Sequence, residues 1–229
     1  MNINNLVTGG AGFIGTNLIE KLLKLGEKVV CVDDLSTGSF ENIKKWEKNK
    51  NFIFHNHNIL NSLNIENKID RIWHLACPAS PYYFLKDPIK TSRIAFLGTY
   101  NMLELARRCN SSILITSTSE IYGESVIVPQ EESNYGDLNV KGTRACYAEA
   151  KRLAETISYE YERKYNLNIK VARVFNTYGP GLRINDNRVM SNFIVNSLKN
   201  KPLQIFGKGI QTRSFCYVSD LIDGLCLFM

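Results

Sequence analysis

The sequence predicts an α/β fold: a doubly wound parallel sheet, followed by the start of a smaller, interleaved C-terminal lobe. Three observations carry this. Apolar stretches of strand length alternate with amphipathic stretches of helix length, the pattern of βα units whose sheet is covered on both faces. A glycine-rich turn separates the first strand from the first helix. From about residue 176 the alternation gives way to loops.

In order, 3–8 reads as a buried strand and 13–25 as a helix, which Gly26 ends as a C-terminal cap. Residues 28–32 form the next strand, ending at Asp33-Asp34, and a polar loop with a short helix fills 36–49. Strands are expected at 51–55 and 69–75, a helix at 90–109, a strand at 112–117, a long helix at 144–165 and a strand at 169–175. Beyond these come a helix near 189–199, a short strand at 203–206, and a final helix that begins without a cap. The expected division is 1–175 for the sheet domain and 176–229 for the second lobe, which reads as incomplete and missing a tail.

Composition narrows the class. With 44% hydrophobic and 22% charged residues, the 229-residue chain has the profile of a globular protein with a sizeable core. No apolar run reaches the ~18 residues of a membrane span, and the first residues lack the basic and apolar regions of a secretory signal. A cytoplasmic protein is expected, with no membrane partner. The six cysteines show no CxxC spacing, so reduced structural thiols and no metal site are expected. The net charge of +6 is spread without a basic run, which argues against nucleic acid and suits an anionic small substrate.

Gly9-Gly10-Ala11-Gly12-Phe13-Ile14-Gly15 carries the first chemistry. Glycines at this spacing allow a tight turn, close approach of backbone to a pyrophosphate, and close helix–strand packing, as in the Rossmann-type fold. The following helix offers free N–H groups and a positive dipole end. The second strand ends in Asp33, whose carboxylate would accept hydrogen bonds from an adenosine ribose and repel a 2′-phosphate, so NAD is expected rather than NADP.

Tyr147 and Lys151 stand four residues apart on one helix face. A phenol of ordinary pKa is a poor base at neutral pH, and the neighbouring cation is expected to lower it so that the pair can take a proton from a sugar hydroxyl as hydride leaves. Thr118 can bond the same hydroxyl.

Together these residues resemble the extended short-chain dehydrogenase/reductase superfamily. The closer resemblance, to the UDP-glucuronate decarboxylases (UDP-xylose synthases), rests on GGAGFIG, HLACPASP (74–81), TSTSEIYG (116–123), RACYAEAKR (144–152), ARVFNTYGPG (172–181), RVMSNFI (188–194) and QTRSFCYVSDL (211–221). It implies NAD contacts from Gly9, Gly12, Phe13, Ile14, Gly15, Asp33, Asp34, Ser36, Thr37, Asn58, Ile59, Leu75, Ala76, Tyr147 and Lys151. For the substrate it implies Ser80 and Ser119, with Asn176 and Arg213 at the diphosphate, Arg188, Val189 and Asn192 near it, and Gln204 and Phe206 bordering the uracil. Glu120 is implied to help oxidation and decarboxylation. A homodimer through the helices at 90–109 and 144–165 is also implied. The chain departs from the family pattern at Gly181, where an Arg is usual, and at Asn58, where an Asp is usual.

All these relatives pass through a 4-keto sugar. A 4,6-dehydratase needs an acid beside its base, but the chain has Ser119 at that position. UDP-glucuronate needs none, because oxidation at C4 turns its carboxylate into a β-keto acid that can lose CO2. The expected reaction is therefore NAD-dependent decarboxylation of UDP-glucuronate to UDP-xylose with internal NAD recycling. A UDP-sugar 4-epimerase, and a non-catalytic NAD-binding partner protein or inactive fragment, stay open as alternatives.

Overall fold

In the computed structural model, which describes residues 3–65, 68–124, 127–205 and 207–229, strands β1 (Asn4–Thr8), β2 (Lys28–Asp33), β3 (Phe52–Asn56), β4 (Arg71–His74), β5 (Ser112–Thr118) and β6 (Ile169–Val174) build one parallel sheet. Its order is β3-β2-β1-β4-β5-β6. The chain reverses direction across the sheet between β1 and β4, which opens a crevice at their carboxyl ends.

Side chains alternate across the strands and feed two cores. Leu6, Val30, Val32, Ile72, Ile113 and Ile115 face one side, where they meet Met102 and Leu103 of α5 (Thr99–Cys109) and Tyr161 of α6 (Ala145–Tyr165). Val7, Val29, Cys31, Trp73 and Leu114 face the other, against Leu18, Ile19 and Leu22 of α1 (Phe13–Lys24). Gly26, at φ +78°, ends α1 as the sequence predicts: Glu27 N–H donates to Leu22 O at 3.1 Å.

Two expectations change. The helix at 90–109 is a composite of α4 (Pro88–Arg93), a π-helical turn over Ile94–Gly98, and α5. Ile59 explains the need for glycine in that turn, since a Cβ on Gly98 would lie 2.4 Å from Ile59 Cδ1. The strand expected at 203–206 is absent at 203–205, where Leu203 and Ile205 are exposed, and Phe206 lies outside the described residues. The pairing there runs instead between β7 (Asn176–Tyr178) and β8 (Phe215–Tyr217), in parallel. The last helix is α8 (Val218–Phe228). Val218, Ile222 and Leu225 are buried in the core beside α1, and Lys21 pairs with Asp223 at 2.9 Å. The segment from 176 thus leaves the sheet and returns to it.

His74, at the crevice end of β4, is buried between two threonines: its Nδ1 lies 2.8 Å from Thr8 Oγ1 and its Nε2 3.1 Å from Thr99 Oγ1. Burial, then the charge of Lys151, holds its pKa at about 3, below the ordinary 6.5. The unfolded chain therefore takes up this proton before the native one does. The contribution of His74 to stability is whole above pH 6.5 and is lost as pH falls towards 3. A His74→Gln variant should be less stable than the parent at neutral pH, yet its Tm should fall less steeply below pH 6.5. Equal slopes in thermal melts across pH would contradict this.

Candidate active site

A cavity of about 1110 Å³ opens along the crevice. Its floor is the turn between β1 and α1. Gly9 has φ +68°, and a Cβ there would lie 2.8 Å from Ala76 Cα; one on Gly15 would lie 2.2 Å from Gly9 O. Only glycine lets the turn, the first helix and the loop after β4 approach this closely. Gly12 caps α1 without a side-chain hydrogen bond, so the first-turn N–H groups and the positive dipole end are left to a ligand. That cradle fits a pyrophosphate.

Asp33, buried at the end of β2, accepts from Ala11 N–H at 3.0 Å and Leu35 N–H at 2.8 Å. Burial raises its pKa above the usual carboxylate value, against those two hydrogen bonds. Asp34 accepts from Ser36, and Asn58 donates to Asp34 Oδ2 at 3.0 Å while its own Oδ1 accepts from Leu60 N–H at 2.9 Å. Thr37, Ile59, Leu75, Phe13 and Ile14 also line the cavity, so every residue expected to contact NAD faces it.

The opposite wall comes from the end of β5 and the start of α6. Tyr147 and Lys151 are both buried, and the Tyr147 ring stacks on Phe84, centroids 4.9 Å apart and planes within 3°. Lys151 Nζ donates to Thr116 O at 2.8 Å. Thr118 stands close enough to the Tyr147 hydroxyl to act on its ionisation. One expectation is corrected here. In the protein alone the phenol is pushed above its ordinary pKa, chiefly by burial and next by Cys77; Thr118 and Arg188 oppose this without prevailing. The Lys151 ammonium, already bonded to a carbonyl, does not reverse the cost of burying a phenolate.

Glu120 lies in the 3-10 turn Ser119–Tyr122 after β5, where its N–H donates to Thr118 Oγ1 at 3.2 Å. Its carboxylate makes a short contact with the Arg144 guanidinium. Arg144 opens the RACYAEAKR segment, and only the fold brings it 24 positions back to Glu120. Cys77, Arg183 and Asp186 are further cavity residues that sequence reasoning missed.

Towards the other end, Ser80 Oγ donates to Asp186 O at 2.9 Å, Arg188 pairs with Asp186, and Asn176 Nδ2 donates to Ser214 O at 3.3 Å. Arg213 is exposed and donates to its neighbour's carbonyl, Thr212 O, at 2.7 Å. Ser80, Ser119, Asn176, Arg188, Val189 and Arg213 all line the cavity. Asn192 does not; it sits on α7 (Val189–Leu198) and accepts from Asn196 at 2.5 Å. Gln204 is exposed away from the lining, and Phe206 lies outside the described residues.

A strand order of 3-2-1-4-5-6, a glycine cradle below an acidic β2 end, and a Tyr-x-x-x-Lys helix facing it define a dinucleotide-binding fold of the short-chain dehydrogenase/reductase type. The chain belongs to the NAD dependent epimerase/dehydratase family, whose model matches residues 5–229. Among curated proteins it is 50% identical to UDP-glucuronic acid decarboxylase 3 of Arabidopsis thaliana, over 100% of this chain and 66% of that one. It is 46% identical to UDP-glucuronic acid decarboxylase 1 of Xenopus tropicalis, over 98% of this chain and 53% of that one. The chain thus spans about two thirds or less of the length of these relatives. Among solved structures it is similar to UDP-glucuronic acid 4-epimerase from Bacillus cereus in complex with UDP-glucuronic acid and NAD, with TM-score 0.84 and 31% identity, over 98% of this chain and 72% of that one. No described helix is long and apolar enough to cross a membrane, and no cluster of three or more metal-ligating side chains occurs among the described residues.

Proposed function

We propose that the protein decarboxylates UDP-glucuronate to UDP-xylose through a 4-keto sugar. The observation that carries this is the single wall formed by Thr118, Glu120, Tyr147 and Lys151, set across the cavity from the glycine cradle. NAD, when bound, supplies a positive charge and a hydride acceptor that is restored in each turnover. Tyr147 takes the proton of the C4 hydroxyl, Thr118 beside it fixes that hydroxyl, and Lys151 holds the helix to the Thr116 carbonyl. The buried phenol is a strong base once ionised. With a ketone at C4, the carboxylate electrons pass through C5 to the carbonyl oxygen as CO2 leaves. C5 is then reprotonated. Ser119, beside Glu120, offers no acid for expelling a hydroxyl from C6, which speaks against dehydration. Arg188 and Arg213 suit the diphosphate, since a guanidinium fork binds phosphate oxygens in pairs.

In this reading 176–229 begins the nucleotide-sugar lobe, and a cytoplasmic location agrees with the reduced cysteines. A homodimer through α4, α5 and α6 is part of the same proposal; Leu97, Tyr100 and Leu153 are exposed there, and light scattering would test it.

The second reading is a UDP-glucuronate 4-epimerase, favoured by the likeness to the Bacillus cereus enzyme. Incubation with UDP-glucuronate, with and without added NAD, separates the two by product mass. A product lighter by one CO2 is expected; UDP-galacturonate of unchanged mass would favour the epimerase.

A further inference from the structure

We infer that Arg144 reads the sugar's carboxylate, exchanging Glu120 for it, and so separates a hexuronate from a neutral hexose; this rests on the uronate substrate proposed above.

Arg144 is the N-cap residue of α6, and its carbonyl accepts from Tyr147 N–H at 3.0 Å and Ala148 N–H at 3.1 Å. Its backbone is therefore fixed one turn before the phenol. Its guanidinium lies over the Phe84 ring, 5.7 Å from the centroid, and Phe84 is itself stacked on Tyr147. The same guanidinium pairs with Glu120, two residues beyond Thr118. Arg144 thus shares a wall of the cavity with both groups expected to hold the C4 hydroxyl, and half its side chain remains exposed there.

The other cavity cations have different holds. Lys151 is buried on the Thr116 carbonyl, Arg183 donates to Tyr83 Oη at 2.8 Å and Gly38 O at 3.1 Å, Arg188 pairs with Asp186, and Arg213 lies out by Thr212. Arg144 alone among them is paired with a carboxylate on the wall that carries Tyr147. In a hexuronate the carboxylate is attached at C5, next to C4. A sugar placed with its C4 hydroxyl at Tyr147 and Thr118 brings this second carboxylate into competition with Glu120 for one guanidinium fork. The exchange leaves Glu120 free. A neutral hexose offers nothing to exchange, and the Arg144–Glu120 pair stays closed.

The charge flow assigns the effect to binding. As CO2 leaves, negative charge moves from the carboxylate to the C4 oxygen. A cation on the carboxylate therefore stabilises the ground state at least as well as the transition state, and its loss appears in KM rather than in a lower kcat.

The test is calorimetric titration of the NAD-saturated protein with UDP-glucuronate, UDP-glucose and UDP, with parent and variants all carrying Tyr147→Phe so that no turnover occurs. The parent should bind UDP-glucuronate more tightly than UDP-glucose. Arg144→Gln should weaken UDP-glucuronate about 10-fold or more, the scale of a lost charge-assisted hydrogen bond, with UDP-glucose, UDP and NAD unchanged. Glu120→Gln, which removes the competitor, should tighten UDP-glucuronate alone. A parent with no preference would overturn the uronate reading and this inference together. A parent preference that survives in Arg144→Gln, or a Glu120→Gln variant that binds UDP-glucuronate more weakly, would overturn the inference and leave the function standing. Should Arg144→Gln fail to fold, as judged by lost NAD binding, the Glu120→Gln result decides alone.

Discussion

Replacing Tyr147 by Phe should lower turnover of UDP-glucuronate by about 100- to 10,000-fold, the usual contribution of a positioned acid–base group. The substitution removes one oxygen and keeps the ring. The stack on Phe84 at 4.9 Å is preserved, and so is the packing that holds the start of α6 against α3 (Pro81–Phe84). Binding of NAD and of UDP should therefore change little, and the loss should fall on kcat. Since the phenol of the protein alone sits above its ordinary pKa, turnover should also climb with pH across the neutral range in the parent. Raising pH should rescue Tyr147→Phe hardly at all. A Tyr147→Phe enzyme within tenfold of the parent would remove the phenol from the chemistry, whatever its neighbours.

The second large effect concerns stability. Arg173 on β6 meets Glu155, one turn beyond Lys151 on α6, through two parallel contacts: Nε to Oε1 at 3.2 Å and Nη2 to Oε2 at 2.9 Å. Glu155 is nearly buried, with 7% of its side chain exposed, so it depends on this partner. Arg173 Nη1 also donates to Tyr122 Oη at 2.9 Å and to Glu132 O at 3.3 Å. One guanidinium thus ties the catalytic helix, the last sheet strand, the turn carrying Glu120 and the loop beyond it. Arg173→Met should cost about 3–5 kcal/mol, because it leaves a carboxylate buried without its charge partner. Arg173→Met with Glu155→Leu should recover part of that loss, since a buried pair replaced by apolar groups is often close to neutral. Urea unfolding measures both. A single variant that loses less than about 1 kcal/mol, the worth of an exposed pair, would show that the pair is solvated.

Much of the fold was legible because period and punctuation are local. The alternation of Leu6 with Val7 and of Ile72 with Trp73 puts successive side chains on opposite faces, and Gly26 stops α1 by its own backbone freedom. The cofactor cradle was legible for the same reason: the steric need for Gly9 and Gly15 is met within a few residues, and only the contact with Ala76 is distant. What stayed hidden depends on convergence. Gly98 in the π turn lies against Ile59, and no helical periodicity records that neighbour. Leu203 and Ile205 have strand-like composition, yet among the described residues no strand pairs with them, and β7 pairs with β8 instead. The terminal helix reads as part of a second lobe, although its apolar face fits the groove beside α1. In the site, the Tyr-x-x-x-Lys spacing was visible, but the direction of the phenol's pKa follows from burial, which spacing does not report. The Arg144–Glu120 and Arg173–Glu155 pairs join residues 24 and 18 positions apart, and charge at that distance along the chain has many possible partners until the sheet fixes them.

The central claim is that a ketone at C4 drives loss of the C5 carboxylate. Turnover of UDP-glucuronate in D2O with a trace of NAD tests it most directly, read by mass and proton spectra of the nucleotide-sugar product. The account predicts a pentose bearing one deuterium at C5, with no net accumulation of NADH. A product that keeps its carboxylate, differs from substrate at C4 and carries no deuterium at C5 would contradict it.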